Sequence, residues 1–293
     1  MRIPTIFKQK TRRHRRAQPE PDEPEPDEPD PDEPRPVTQV PKLTPHDFAL
    51  LGLRFDRTQT LRKGAAKAPQ MLRKVLPKLE TYVYGVDLSA SSLEDLGDVN
   101  ANSFKELAKQ TAVKLASTKK FPIIIGGEHT VSLAAVKALK PDTVVILDAH
   151  PDCEASESHD GVTRKIAELV GPENVFLFGA RAASAAEDEY LGSSGINVID
   201  SLNKLQWVKG RVYLSIDLDV LDPSIMASVG NPEPMGLSFS EVTQAIKMVA
   251  PYLIGADFVE FTPLEDSSAD IHALMAGKLI YSTMAAIVKA RQK

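Results

Sequence analysis

Short, almost purely apolar runs recur along the second half of this chain, and they constrain its fold more than any other feature. The runs are FPIII (121–125), TVVILD (143–148), VFLFGA (175–180), INVID (196–200), RVYLSIDLD (211–219) and ADFVEF (256–261). They are rich in Val, Ile and Phe and show no polar alternation, so each reads as a strand buried on both faces. Amphipathic stretches lie among them: SFKELAKQTAVKLA (103–116), TVSLAAVKALK (130–140), GVTRKIAELVG (161–171), FSEVTQAIKMVAPY (239–252) and a long helix from Asp270 to the C-terminus. A doubly buried strand needs a layer above and below it, and interleaved helices supply both. The expected fold is α/β, a three-layer α/β/α arrangement around a central, mainly parallel sheet. No self-similarity at solenoid periods is present.

The first 45 residues follow a different rule. They hold half of the 22 prolines, with a basic block (KQKTRRHRR, 8–16) ahead of an acidic low-complexity run (PEPDEPEPDEPDPDEP, 19–34). Proline at this density removes helix hydrogen bonds, and almost nothing here can be buried, so residues 1–45 read as a disordered charged tail. Residues 46–293 read as one catalytic domain. A net charge of −5 argues against a globally basic nucleic-acid binder, and a single cysteine excludes a disulfide framework or a four-cysteine zinc site. No apolar run approaches the roughly 20 residues that cross a bilayer, and no secretory signal follows the basic start. A cytoplasmic protein with no membrane or nucleic-acid partner is expected.

In a parallel α/β sheet, ligands sit beyond the carboxyl ends of the strands, and the unusual polar residues cluster there. GGEHT with His129 follows FPIII. DAHPD, carrying Asp148, His150 and Asp152, ends TVVIL. DLDVLDP, carrying Asp217 and Asp219, ends RVYLSI, and Glu260 ends ADFV. Residues i and i+2 of a strand share a face about 6.7 Å apart, so Asp148 pairs with His150 and Asp217 with Asp219. A single aspartate at a strand end commonly caps the next turn; D-x-H-x-D and D-x-D together behind buried strands point to one shared site. Four carboxylates so close cannot all ionise unaided. Two divalent cations would neutralise them, and the oxygen-rich set favours a hard ion such as Mn²⁺ over Zn²⁺. His14, His46 and His272 stand outside this context, and no nucleotide-binding glycine motif occurs.

GGEHT (126–130), ILDAHPD (146–152), SHDGVTR (158–164), SIDLDVLDP (215–223), GNPEPMGL (230–237) and DFVEFTP (257–263) resemble, in order and spacing, the signatures of the ureohydrolase family of arginases, agmatinases and formimidoylglutamases. LRKGAAKAPQMLR (61–73) is similar to that family's first-helix region, and LEDLGDV (93–99) to the strand that follows. The resemblance implies a centre of two Mn²⁺ ions. One would be held by His129, Asp148 and Asp152 and the other by His150, Asp217 and Asp219, with Asp148 and Asp217 bridging. It further implies that His159 shuttles protons and that Glu260 receives a substrate guanidinium. A water shared by two metals is strongly acidified and could attack the guanidinium carbon. A homotrimer or homohexamer acting on a small guanidino compound is implied.

Departures from the family pattern bear on the substrate. Asp152 is followed by CEASES, without the Asp-x-Asn with which arginases grip the α-amino and α-carboxylate groups. Ser184 stands where arginases carry an acid, and Met235 replaces the first of two glycines beside a substrate loop. Cys153 reads as a packed small residue. These departures favour agmatine, cleaved to putrescine and urea. Arginase, formimidoylglutamase, another guanidino hydrolase, a non-catalytic relative and a zinc deacetylase-type enzyme are the alternatives.

Overall fold

The computed structural model describes residues 47–264 and 268–292. The tail expected at 1–45 lies outside the described residues. Eight strands form one sheet: β1 (Asp47–Arg54), β4 (Ser92–Asn100), β5 (Phe121–Ile125), β6 (Thr143–Leu147), β7 (Val175–Phe178), β8 (Asn197–Ile199), β9 (Val212–Asp217) and β10 (Leu253–Val259). Their spatial order is β4-β1-β5-β10-β9-β6-β7-β8, and every neighbouring pair is parallel. The short strands β2 (Tyr82–Val83) and β3 (Val86–Asp87) make a separate antiparallel hairpin.

Helices cover both faces, which is why the central strands are largely apolar. Against one face pack α1 (Ala68–Val75), α6 (Phe239–Val249) and α7 (Ser268–Arg291), around Phe48, Phe121, Leu214 and Phe258. Against the other pack α2 (Phe104–Ala116), α3 (Thr130–Leu139), α4 (Val162–Val170) and α5 (Ala185–Ser194), around Leu51, Ile124, Ile146 and Tyr213. The three-layer α/β/α expectation holds, and the sheet is wholly parallel among the described strands.

Some elements escaped the apolar pattern, β1, α5 and β4 among them. The apolar run of β1 abuts the proline-rich tail and was not read as a strand. In α5, AAEDEYLGSS has almost no apolar stripe; a capping box between Ser184 and Glu187 starts this helix. β4 lies at the edge of the sheet and carries exposed acids, Glu94 and Asp95, as edge strands commonly do.

The helix α7 corrects another expectation. Its segment Ile271–Arg291 is long and apolar enough to cross a bilayer, its most apolar 18-residue window having mean hydropathy 1.4, although 67% of that window is buried inside the fold. Ala273, Ala276, Leu279, Ile280 and Ile287 face the core. Lys278 and Lys289 divide the apolar run in the sequence, and so hid its length.

Candidate metal centre

The four central strands, β5, β10, β9 and β6, are spatial neighbours, and their carboxyl ends bring His129, Glu260, Asp217, Asp219, Asp148, His150 and Asp152 together. The two glycines before Glu128 make this closeness possible. A Cβ on Gly127 would stand 1.9 Å from the Phe55 carbonyl oxygen, and one on Gly126 would stand 2.5 Å from Val259. Asp152 and Glu260 hold positive φ, at 51° and 62°. Backbone strain of this kind in non-glycine residues concentrates at functional sites.

The pairs converge by tight turns rather than by strand alternation, which corrects the spacing argument. β6 ends at Leu147, and a 3₁₀ turn carries Leu218–Val220 directly after β9. Asp148 Oδ1 accepts from His150 N at 2.7 Å, and Asp217 Oδ1 accepts from Asp219 N at 2.8 Å. Their other oxygens, Asp148 Oδ2 and Asp217 Oδ2, lie 2.8 and 3.6 Å from His129 Nδ1. Asp152 Oδ2 lies 3.0 Å from the same nitrogen. Asp219 repeats the division: Oδ1 accepts from Ala149 N at 3.1 Å, and Oδ2 lies 2.9 Å from His150 Nδ1. Turn-capping and site-facing roles therefore fall on different oxygens of the same carboxylates.

The donor set fits divalent cations. His129, Asp148 and Asp152 form one group, and Asp148, His150 and Asp219 another; in each, the candidate ligand atoms lie within 4.8 Å of one another, and Asp148 belongs to both. Asp148 Oδ2 is buried without a hydrogen bond; its 2.8 Å approach to His129 Nδ1 lacks hydrogen-bond geometry. A buried carboxylate oxygen in that state is costly unless a cation meets it.

Electrostatics agree. Burial, then repulsion from Asp148, pushes the Asp152 carboxyl up to about 7. Burial raises Glu260 to about 8 despite hydrogen bonds from His129 N and Gln59. Asp217 is raised well above its ordinary value by burial and by Asp219, Asp148 and Glu260. Burial opposes charge on His150, but its bonds to Asp148 and Asp219 outweigh this and lift it to about 12. Burial likewise opposes ionisation of Asp148, yet His129 and His150 hold its carboxyl below the usual range. Without cations, the cluster retains protons on several of its acids.

A cavity of about 180 Å³ opens onto this cluster, lined by His150, Asp152, Asp217, Asp219 and Glu260 together with Gln59, Arg62, Glu154, His159, Asp160 and Glu187. Glu260 Oε1 accepts from His129 N at 2.7 Å and Oε2 from Gln59 Nε2 at 2.5 Å. His159 Nδ1 lies 3.3 Å from Thr58 Oγ1, which donates to the buried Glu128 at 2.8 Å. Thr58 therefore accepts at Nδ1, leaving Nε2 as the ring nitrogen without that partner. Asn231 Nδ2 stands 3.0 Å from His150 Nε2. Gln59, Thr58 and Asn231 were not singled out from sequence; the first two follow β1, the strand that was missed, while Asn231 sits within the quoted GNPEP motif.

Ser184 caps α5 and donates to Glu154 Oε1 at 2.6 Å. Met235 is 89% exposed and does not line the cavity. Cys153 is buried, its thiol pushed up to about 12 by burial and by Asp152. His272 meets Ser228 Oγ at 2.7 Å.

A sequence profile described as the arginase family matches residues 46–286. The chain is 32% identical over 268 residues to N(1)-aminopropylagmatine ureohydrolase of Thermococcus kodakarensis, covering 83% of this chain and 91% of that one. It is 33% identical over 275 residues to the agmatinase of Bacillus anthracis, covering 85% and 94%. The crystal structure of agmatine ureohydrolase of Thermoplasma volcanium superposes with a TM-score of 0.77 at 30% identity, over 87% of this chain and 97% of that one.

Proposed function

The chain belongs to the arginase family of metal-dependent ureohydrolases, and on that premise we propose that it hydrolyses agmatine to putrescine and urea using two Mn²⁺ ions per chain. In this reading His129, Asp148 and Asp152 hold one ion and His150, Asp217 and Asp219 the other, with Asp148 and Asp217 shared. A cytoplasmic homotrimer or homohexamer is part of the same proposal.

The observation that carries the substrate choice is the charge on the cavity lining beside the metal cluster. Glu154, Asp160 and Glu187 line the cavity, and the one lysine or arginine among the lining residues is Arg62. Arg62 directs Nη2 at the Ala227 and Val229 carbonyls, at 3.0 and 2.5 Å. An acidic wall suits a distal ammonium and repels an α-carboxylate, which separates agmatine from arginine. The relatives named agmatinase support this choice.

The chain's own groups then divide the work. Glu260 accepts hydrogen bonds from the planar guanidinium and, with the cation beside it, ionises and fixes the plane. Its backbone and Gln59 partners keep that carboxylate from turning away. When bound, a pair of divalent cations supplies a water acidic enough to attack near neutral pH. His159, whose Nδ1–H donates to Thr58, takes up a proton from solvent at Nε2 and passes it on to the departing amine.

A urea-release screen over agmatine, arginine, N(1)-aminopropylagmatine and formimidoylglutamate tests the reading. Agmatine should rank above arginine in kcat/KM. The reverse ranking rejects the substrate. A higher rank for the aminopropyl compound, the substrate in the name of a 32% identical relative, would move the assignment to longer amines.

A further inference from the structure

On the side of His129 away from the carboxylates runs a second set of polar groups, all wholly buried. His129 Nε2 lies 3.0 Å from Ser215 Oγ. Ser215 Oγ donates to Asp257 Oδ1 at 2.8 Å, and Tyr213 OH donates to Asp257 Oδ2 at 2.6 Å. Ser132 Oγ lies 3.1 Å from Ser215 Oγ. The sheet register builds this set. Ser215 and Asp257 are direct partners across β9 and β10, and Tyr213 pairs with Gly255. A Cβ on Gly255 would come within 3.2 Å of the Tyr213 ring, so the glycine leaves room for the phenol.

Counting protons fixes the direction of the Tyr213, Ser215 and His129 bonds in this set. A carboxylate only accepts, so Asp257 takes the single proton of Tyr213 and the single proton of Ser215. Ser215 Oγ has then no proton left for His129 and can only accept from Nε2–H. An imidazole carrying its proton on Nε2 presents a lone pair at Nδ1, the atom that faces Asp148, Asp152 and Asp217. We infer that Asp257 is a positioning residue: acting through Ser215, it sets the tautomer of His129 and keeps Nδ1 available to a metal ion. This inference rests on the metal-binding role proposed for His129. Partners of this outer kind orient a ligating ring and commonly govern metal affinity.

Asp257→Asn keeps the shape and reverses the polarity. Tyr213 would hold the amide oxygen, turning the amide nitrogen toward Ser215. Ser215 would then accept from the amide and could direct its own proton at His129 Nε2, forcing the ring proton onto Nδ1. The experiment measures manganese affinity of the full-length protein by competition with a chelator, with circular dichroism and melting temperature of the metal-free protein as the check on folding. Asp257→Asn should weaken binding by about tenfold or more. Tyr213→Phe, which removes a donor without reversing any bond, should stay within about threefold of wild type. A folded Asp257→Asn protein that binds manganese like wild type overturns the inference, as does equal weakening by both variants. Should Asp257→Asn not fold, Ser215→Ala removes the acceptor and should weaken binding while Ser215→Thr restores it; unchanged affinity in Ser215→Ala overturns the inference. A wild type that binds no manganese removes the metal reading as well, whereas normal wild-type binding beside an unaffected variant removes this inference alone.

Discussion

Stripped of metal, the protein should lose stability as pH rises from 5 to 7, opposite to the usual behaviour of paired carboxylates. Asp152 titrates near 7 in the fold against an ordinary 3.8, and Glu260 near 8 against 4.5. Over this window the unfolded chain has released both protons and the folded chain retains most of them. Stability falls wherever the folded state binds more protons, at about 1.4 kcal/mol per proton per pH unit. Two protons over two units, less the share Asp152 gives up near its midpoint, come to about 5 kcal/mol. His150 adds in the same direction: its stabilisation is complete below 6.5 and is lost as pH climbs toward about 12. Asp148 is ionised in both states here and leaves the slope unchanged. With a urea m-value of about 3 kcal/mol/M, the denaturation midpoint should drop by more than about 1 M between pH 5 and 7. Manganese should abolish the drop near pH 7, because bound cations hold these acids ionised. A metal-free midpoint that stays level or rises over this range would refute the reasoning.

Three substitutions probe the cavity. Glu260→Gln should cut kcat/KM for agmatine by about 10- to 100-fold, the worth of one charge-assisted hydrogen bond, with metal content unchanged by elemental analysis. His159→Ala should lower kcat by about 10²- to 10⁴-fold with little change in KM, read from steady-state urea release. Glu154→Gln should narrow the preference for agmatine over arginine by about fivefold, the scale of a partly exposed charge pair, in a paired comparison of the two substrates.

The layered fold was legible because strands buried on both faces must be largely apolar, and β5, β6, β9 and β10 are, with Ser215, Asp217 and Asp257 as the polar exceptions within β9 and β10. The same pattern marked the carboxyl ends where His129, Asp148, Asp217 and Glu260 cluster. What the sequence hid has physical causes. Asp148 and Asp217 each cap a turn with one oxygen and face the site with the other, so capping and site-facing were never rival readings of these residues. Thr58 and Gln59 follow β1, whose apolar run merges with the proline-rich tail. Ser215 and Asp257 did carry a signal, as polar residues inside otherwise apolar buried strands, but only the register of β9 against β10 pairs them. The rim around Met235 turned out differently from the sequence argument, since its side chain points to solvent.

The central claim is that these side chains gather two ions. Elemental analysis by inductively coupled plasma, after manganese loading and removal of free metal, measures this directly. The account predicts about two manganese per chain, falling to about one or fewer in Asp148→Ala, whose carboxylate belongs to both ligand groups. A reproducible value near one or zero in the wild-type protein, or full activity after stringent chelation, would contradict it.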